Sequence, residues 1–148
     1  AAALGEAANN AGLPVVTDFQ APRRESPLAE RAIYFCCVEA LQNAAKHAGA
    51  GATAKVTLRQ ERDGISFAVV DSGCSNRHPL NLNEGQGIAS MRSRMLAIGG
   101  ELEISISSTG GLSVVGRIPC AKDNVQGMAK NSALQLLPKH HKRASNMS

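Results

Sequence analysis

Four side chains within the nine residues Glu39-Ala-Leu-Gln-Asn43-Ala-Ala-Lys46-His47 are the ones most able to do chemistry. They bring a carboxylate, an amide, an amine and an imidazole into an otherwise apolar run from Ala32 to Ala48. In a helix, Glu39 and Asn43 lie one turn apart and Lys46 and His47 a turn further on, along one edge. Packing alone does not call for such a stripe, because burying polar groups is costly unless something polar lies against them. A metal bound to phosphate is such a partner. An amide oxygen can ligate Mg²⁺, a hard cation that takes oxygen ligands and bridges phosphates. A carboxylate beside it can accept or direct a proton. Lys46 and His47 would add positive charge near the phosphates, although taken alone they read as solvated charge closing a helix.

Two further segments carry chemistry. Asp71-Ser72-Gly73 follows the apolar stretch Ile65 to Val70, and alone it reads as a turn. Gly85-Gln86-Gly87-Ile88 opens another apolar-periodic stretch. Glycines there let main-chain N–H groups approach a phosphate, and the positive end of a helix lies behind them. A single G-x-G, however, is an ordinary loop pattern.

These residues need elements to hold them. Ala1 to Ala11 reads as a helix stopped at Gly12, with Pro14 beyond. Val15 to Phe19 is a short strand. Ser26-Pro27 suits the cap and first turn of the long helix that carries the stripe and ends near Gly49. Thr53 to Glu61 alternates, with Thr53, Lys55, Thr57 and Arg59 against Ala54, Val56 and Leu58, as a half-exposed strand does. Asp63-Gly64 turns the chain into a returning strand, Ile65 to Val70. Ser72 to Gln86 lacks an apolar period and is a long loop of the functional kind. Gly87 to Ile98 is a helix with Met91, Met95 and Ile98 on one side, stopped by Gly99-Gly100. Glu101 to Ser107 and Leu112 to Ile118 form a last hairpin around Thr109-Gly110-Gly111, and Pro119 closes the domain. The order predicts an α+β, two-layer sandwich: a mixed, mostly antiparallel sheet with its helices on one face.

Taken together, the three segments resemble the ATP-binding domain of sensor histidine kinases, in the GHKL ATPase superfamily shared with DNA gyrase, a class of heat-shock chaperones and the MutL repair proteins. Tyr34, Glu39-Ala-Leu-Gln-Asn43-Ala and Met91-Arg-Ser-Arg with Gly99-Gly100 look most like the class partnered with NarL-type response regulators. The resemblance covers about residues 1 to 119 and implies a Bergerat-type fold binding ATP and Mg²⁺. It implies that Asn43 holds the metal and that Glu39 acts as, or orients, the base. It also implies that Asp71 accepts a hydrogen bond from the adenine amino group, beside Gly73, where the base lies close to the backbone. Gly85 and Gly87 would meet the phosphates, with Lys46 and His47 nearby, and Ser72 to Gln86 would close as a lid. The chain departs from the family pattern at Ser75 and Asn76, which follow Asp71-Ser72-Gly73-Cys74, at Ser90, and at Gly111-Leu112. Family members phosphorylate a histidine on an upstream dimerisation helix. His47, His78, His140 and His141 lack that context, so the expected partner is a helix outside this sequence, with a response regulator reached indirectly.

The charge supports this reading over nucleic-acid binding. Lys122, Lys130, Lys139, Lys142 and Arg143 against Asp123 alone account for the whole formal charge of +4. The body is neutral and poor in aromatics. Residues 120 to 148 read as a basic, disordered tail. Cys36, Cys37, Cys74 and Cys120 form no C-x-x-C pair and no zinc spacing, as expected of reduced thiols in a cytosolic domain. No signal peptide is visible, and Ile33 to Leu41 is too short and polar to span a bilayer. The chain begins inside a helix, which suggests a piece of a longer protein with room for a membrane anchor upstream. Two other readings share the nucleotide site. One is a serine kinase of the anti-sigma type, against which Met91-Arg92 argues. The other is a degenerate regulatory module, favoured by Ser75 and the missing acceptor.

Overall fold

In a computed structural model, residues 1–73, 85–108 and 110–120 are described. Helix α1 (Ala2–Asn9) leads to strand β1 (Val15–Gln20), and α2 (Pro27–His47) crosses to β2 (Ala54–Gln60). Strand β3 (Gly64–Asp71) precedes α3 (Gln86–Ala97), and β4 (Glu101–Ile106) and β5 (Leu112–Pro119) finish the order. The sheet runs β1-β2-β3-β5-β4. Only β1 and β2 pair in parallel, joined by α2 as the crossover; the other three pairings are antiparallel. The expected two-layer, mixed sheet with helices on one face is what forms.

Register explains the core. Phe19, Leu58, Phe67, Gly116 and Leu102 form one row across all five strands. On this face Val56, Phe67, Val69, Val114 and Ile118 are buried, together with Leu41, Met91 and Met95 from the helices. Residues of the other parity, such as Lys55, Val70, Glu103 and Arg117, face outward and are exposed. The alternation that marked β2 is therefore the alternation between helix layer and solvent. Gly116 has a steric role in its row: the Phe67 ring occupies the space that a side chain at 116 would need. On the outer face Arg59 binds the Asp18 carboxylate across the parallel pair, and this hydrogen bond holds Asp18 below the usual carboxylate range.

The helices begin and end where local chemistry directs. Ser26 accepts a hydrogen bond from the Ala29 N–H at 3.2 Å, and Pro27 sits in the first turn. α3 stops with Gly99 at φ 71°; Gly99 N–H donates to the Leu96 carbonyl and Gly100 N–H to that of Met95, the paired bonds of a Schellman ending. α1 is shorter than expected: it ends at Asn9 rather than Ala11, with Asn10 already outside helical geometry. Asparagine competes with the helix through local backbone hydrogen bonds, and Asn9-Asn10 ends it two residues before Gly12. The buried face of α2 is made of Ala29, Ala32, Ile33, Cys36, Cys37, Ala40, Leu41 and Ala44.

Cys36 and Cys37 belong to that face, and both are fully buried. Desolvation pushes the Cys36 thiol up to about 11 and raises that of Cys37 as well. Cys120 is exposed, while Cys74 and the tail from 121 to 148 lie outside the described residues. Among the described residues no helix is long and apolar enough to cross a membrane.

Gly116→Ala is expected to destabilise the domain by about 1–3 kcal/mol through overpacking against Phe67, measured by denaturant unfolding. Iodoacetamide at neutral pH should label Cys120 quickly in the folded protein and leave Cys36 and Cys37 unmodified until denaturant is added. Peptide mass analysis reads each site separately.

Candidate functional site

Glu39 and Asn43 are half-buried on α2, on the side that meets α3. The contact is set by an absence. Gly87 is the second residue of α3, and a Cβ on it would stand 2.5 Å from Glu39 Oε2 and 3.9 Å from Asn43 Nδ2. The carboxylate thus occupies the space that any other residue at 87 would fill. Two segments more than forty residues apart in sequence, which shared no local signal, meet at this point.

The start of α3 suits negative charge. Its N-cap is Gly85, which has no side chain to satisfy the first N–H groups, and its first turn holds no acidic residue. The positive end of the helix dipole favours an anion there. Glu39 lies against this turn from the neighbouring helix. The same N–H groups can receive phosphate oxygens.

A second cluster forms where β3 ends. Asp71 shares the inward parity of Phe67 and Val69, pairs with Ala54 on β2, and is 4 % exposed. It is the one buried charged or polar residue among those described. Asp71 Oδ1 accepts a hydrogen bond from the Gly73 N–H at 2.9 Å. The following residues are fixed from both sides. Ser72 N–H donates to the Thr53 carbonyl, and Thr53 N–H donates to Ser72 Oγ at 3.1 Å. Gly73, at φ 63°, packs against the backbone of Gly110 and Gly111, where no Cβ fits. Gly111 in turn abuts the Asp71 carbonyl, and its N–H donates to Ser107 Oγ at 3.0 Å.

The two clusters face the same end of the helical layer. Gly100, just past the C-terminus of α3, packs on the Arg117 carbonyl near the end of β5. β5 starts at the other end with Leu112, beside Gly111 and Asp71. α3 therefore aims its N-terminus at the end where β3 finishes. The arrangement offers a buried acceptor, a backbone stretch cleared of side chains, a helix N-terminus, and an amide with a carboxylate beside it. Among the described residues no three His, Cys, Asp or Glu side chains could hold a metal ion together. A cation at Asn43 would thus take most of its oxygens from water and from a bound phosphate chain, as Mg²⁺ commonly does.

Of the sequence-predicted residues, Glu39, Asn43 and Gly87 are brought together, and Asp71 and Gly73 form the second cluster. Gly85 caps α3. Lys46 and His47 stand in the exposed last turn of α2, where the Lys46 ammonium complements the negative end of that helix. The Ser72 to Gln86 loop falls largely outside the described residues, as do Ser75, Asn76 and His78. The sequence reading missed Thr53, Ser107 and Gly111, which shape the Asp71 turn. Gly110-Gly111 was legible only as a hairpin turn, because its packing partner lies on another strand. Cavities of about 420 and 660 Å³ beside α1 and the start of α2 involve none of these residues.

No protein-family model matches the sequence, and neither does any curated protein. Solved structures do match. The histidine kinase domain of the blue-light-activated histidine kinase of Erythrobacter litoralis EL346 aligns at TM-score 0.67 and 21% identity, over 82% of this chain and 61% of that one. The nucleotide-free catalytic domain of the histidine kinase ThkA aligns at TM-score 0.62 and 16% identity, over 80% of this chain and 90% of that one. Full-length ShkA, solved with AMPPNP, aligns at TM-score 0.61 and 18% identity, over 80% of this chain and 29% of that one. The chain thus spans about six-tenths of the blue-light kinase domain and nearly all of the ThkA catalytic domain. In its five-stranded mixed sheet and the helices laid on it, this chain has the fold of histidine kinase catalytic domains.

Proposed function

We propose that this chain is the ATP- and Mg²⁺-binding catalytic part of a two-component sensor histidine kinase, of the class partnered with NarL-type response regulators. Its γ-phosphoryl group would go to a histidine on a separate dimerisation helix of the parent protein, and from there to the regulator. The observation that carries this reading is the meeting of Glu39 and Asn43 with Gly87 at the first turn of α3. It brings a carboxylate and a side-chain amide to a helix N-terminus, a grouping that would suit phosphoryl transfer.

The residues fit the nucleotide piece by piece. Asp71 would be the buried acceptor for the adenine amino group, beside Gly73, whose packing on Gly110 and Gly111 holds the turn. The N–H groups after Gly85 meet phosphate oxygens. Asn43 would hold Mg²⁺ through its amide oxygen, and the metal would supply neutralisation of phosphate charge. Glu39, one helical turn from Asn43, would direct the proton of an incoming histidine. Lys46 and His47, at the mouth of the site, supply charge that attracts the polyphosphate. The catalytic contribution is mainly positional and electrostatic.

Isothermal calorimetry with a non-hydrolysable ATP analogue and Mg²⁺ tests the reading. The native chain should bind, and Asn43→Ala should lose measurable binding with an unchanged circular dichroism spectrum; undiminished binding by the variant would sink the assignment. Gly87→Ala should leave folding stability within about 1 kcal/mol of the parent, since alanine favours the helix and the end of Glu39 can swing aside. The displaced carboxylate should nonetheless slow phosphotransfer to a histidine-bearing dimerisation helix by about tenfold or more. A variant with full transfer rate would show that the Glu39–Gly87 contact is structural only.

A further inference from the structure

The meeting of Glu39 with Gly87 is one rung of a longer seam between α2 and α3. Arg94 lies with its guanidinium carbon 3.6 Å from the centre of the Phe35 ring. Between these two rungs, the Cys36 thiol points at the Met91 carbonyl, with sulfur and oxygen 3.9 Å apart. Rising sequence number on α2 (35, 36, 39, 43) meets falling number on α3 (94, 91, 87), so the helices run antiparallel along this edge. Phe35 is one turn before Glu39, and Arg94 is two turns after Gly87 on the same side of α3.

Directional contacts along the seam are few. Met91 and Cys36 are fully buried and make a weak sulfur contact, and Gly87 has no side chain to interlock. A guanidinium stacked on an aromatic face is directional, because the ring quadrupole attracts the cation over its centre. Arg94 is exposed, so it has water as an alternative, yet it lies over the ring. Arg92, two residues earlier, donates instead to the Leu102 carbonyl at 3.3 Å and ties α3 to β4. The two arginines thus fix α3 against different neighbours.

We infer that Arg94, stacked on Phe35, is a positioning residue for the nucleotide site: it sets the register of α3 along α2 and so the placement of Gly87 against Glu39 and Asn43. The assignment rests on the ATP- and Mg²⁺-binding reading above. Arg94 touches no part of the site; it acts through the helix whose N-terminus forms the site. Its effect should therefore fall on the Mg²⁺-dependent part of affinity, which needs Asn43 in place, more than on folding.

The test is a titration of the full chain with a fluorescent ATP analogue, with and without Mg²⁺, alongside thermal unfolding. Arg94→Met keeps the length of the side chain and removes the cation. It should weaken binding in Mg²⁺ by about fivefold, change binding without Mg²⁺ less, and leave the melting temperature nearly unaltered. Arg94→Lys should restore most of the affinity. Phe35→Leu should cause a similar loss, and the double variant Phe35→Leu/Arg94→Met should lose no more than either single one. Arg94→Met binding as tightly as the parent, or losses that simply add in the double variant, would overturn the positioning role while leaving the proposed function standing. A parent chain that binds no nucleotide would overturn both, and is distinguished by its own flat titration.

Discussion

The site depends on a missing atom. Because residue 87 has no Cβ, the first turn of α3 can come against α2, and the carboxylate of Glu39 fills the gap. Every other property of that corner follows from this approach. The positive end of α3 is brought to Glu39, Asn43 is placed alongside, and the N–H groups after Gly85 open toward the same space. A larger residue at 87 would still allow a helix and a folded domain. It would move a carboxylate, and with it the chemistry proposed for this corner.

The other half of the site is secured by backbone rather than by side chains. Asp71 is a carboxylate buried at the last position of β3, a costly placement unless its oxygens are engaged. The Gly73 N–H engages one of them, and the chain around it is held by Thr53 on one side and by Gly110 and Gly111 on the other. Two glycines in van der Waals contact leave a smooth wall there. It ties the site to the β4–β5 turn, which contributes no functional group of its own.

Much of this was legible from residue order. Alternation in 54–60 gave the register that turns Val56 inward and Lys55 outward, and Ser26-Pro27 and Gly99-Gly100 marked two helix ends through well-understood local chemistry. The stripe Glu39/Asn43 was visible because polar groups on an apolar helix need a cause. What residue order did not carry was contact between elements. The fit of Glu39 into the space at Gly87, the stack of Arg94 on Phe35, and the packing of Gly73 against Gly111 each join segments far apart in sequence. A glycine reads the same whether it is free to turn or is making room for a neighbour. The end of α1 was misplaced for a local reason, since Asn9-Asn10 unwinds the helix before the more conspicuous Gly12.

The small-residue face of α2 has a consequence that reaches the site without touching it. Glu39 is followed by Ala40 and Asn43 by Ala44, and both alanines are turned to the interior, only 2 % exposed. The height of these two side chains above the sheet is therefore set in part by methyl groups. One added carbon beneath either position would raise the helix like a shim under a bearing, carrying amide and carboxylate away from their working depth while the sheet below stayed unchanged. In this fold the thickness of alanine is part of what sets the depth of Glu39 and Asn43.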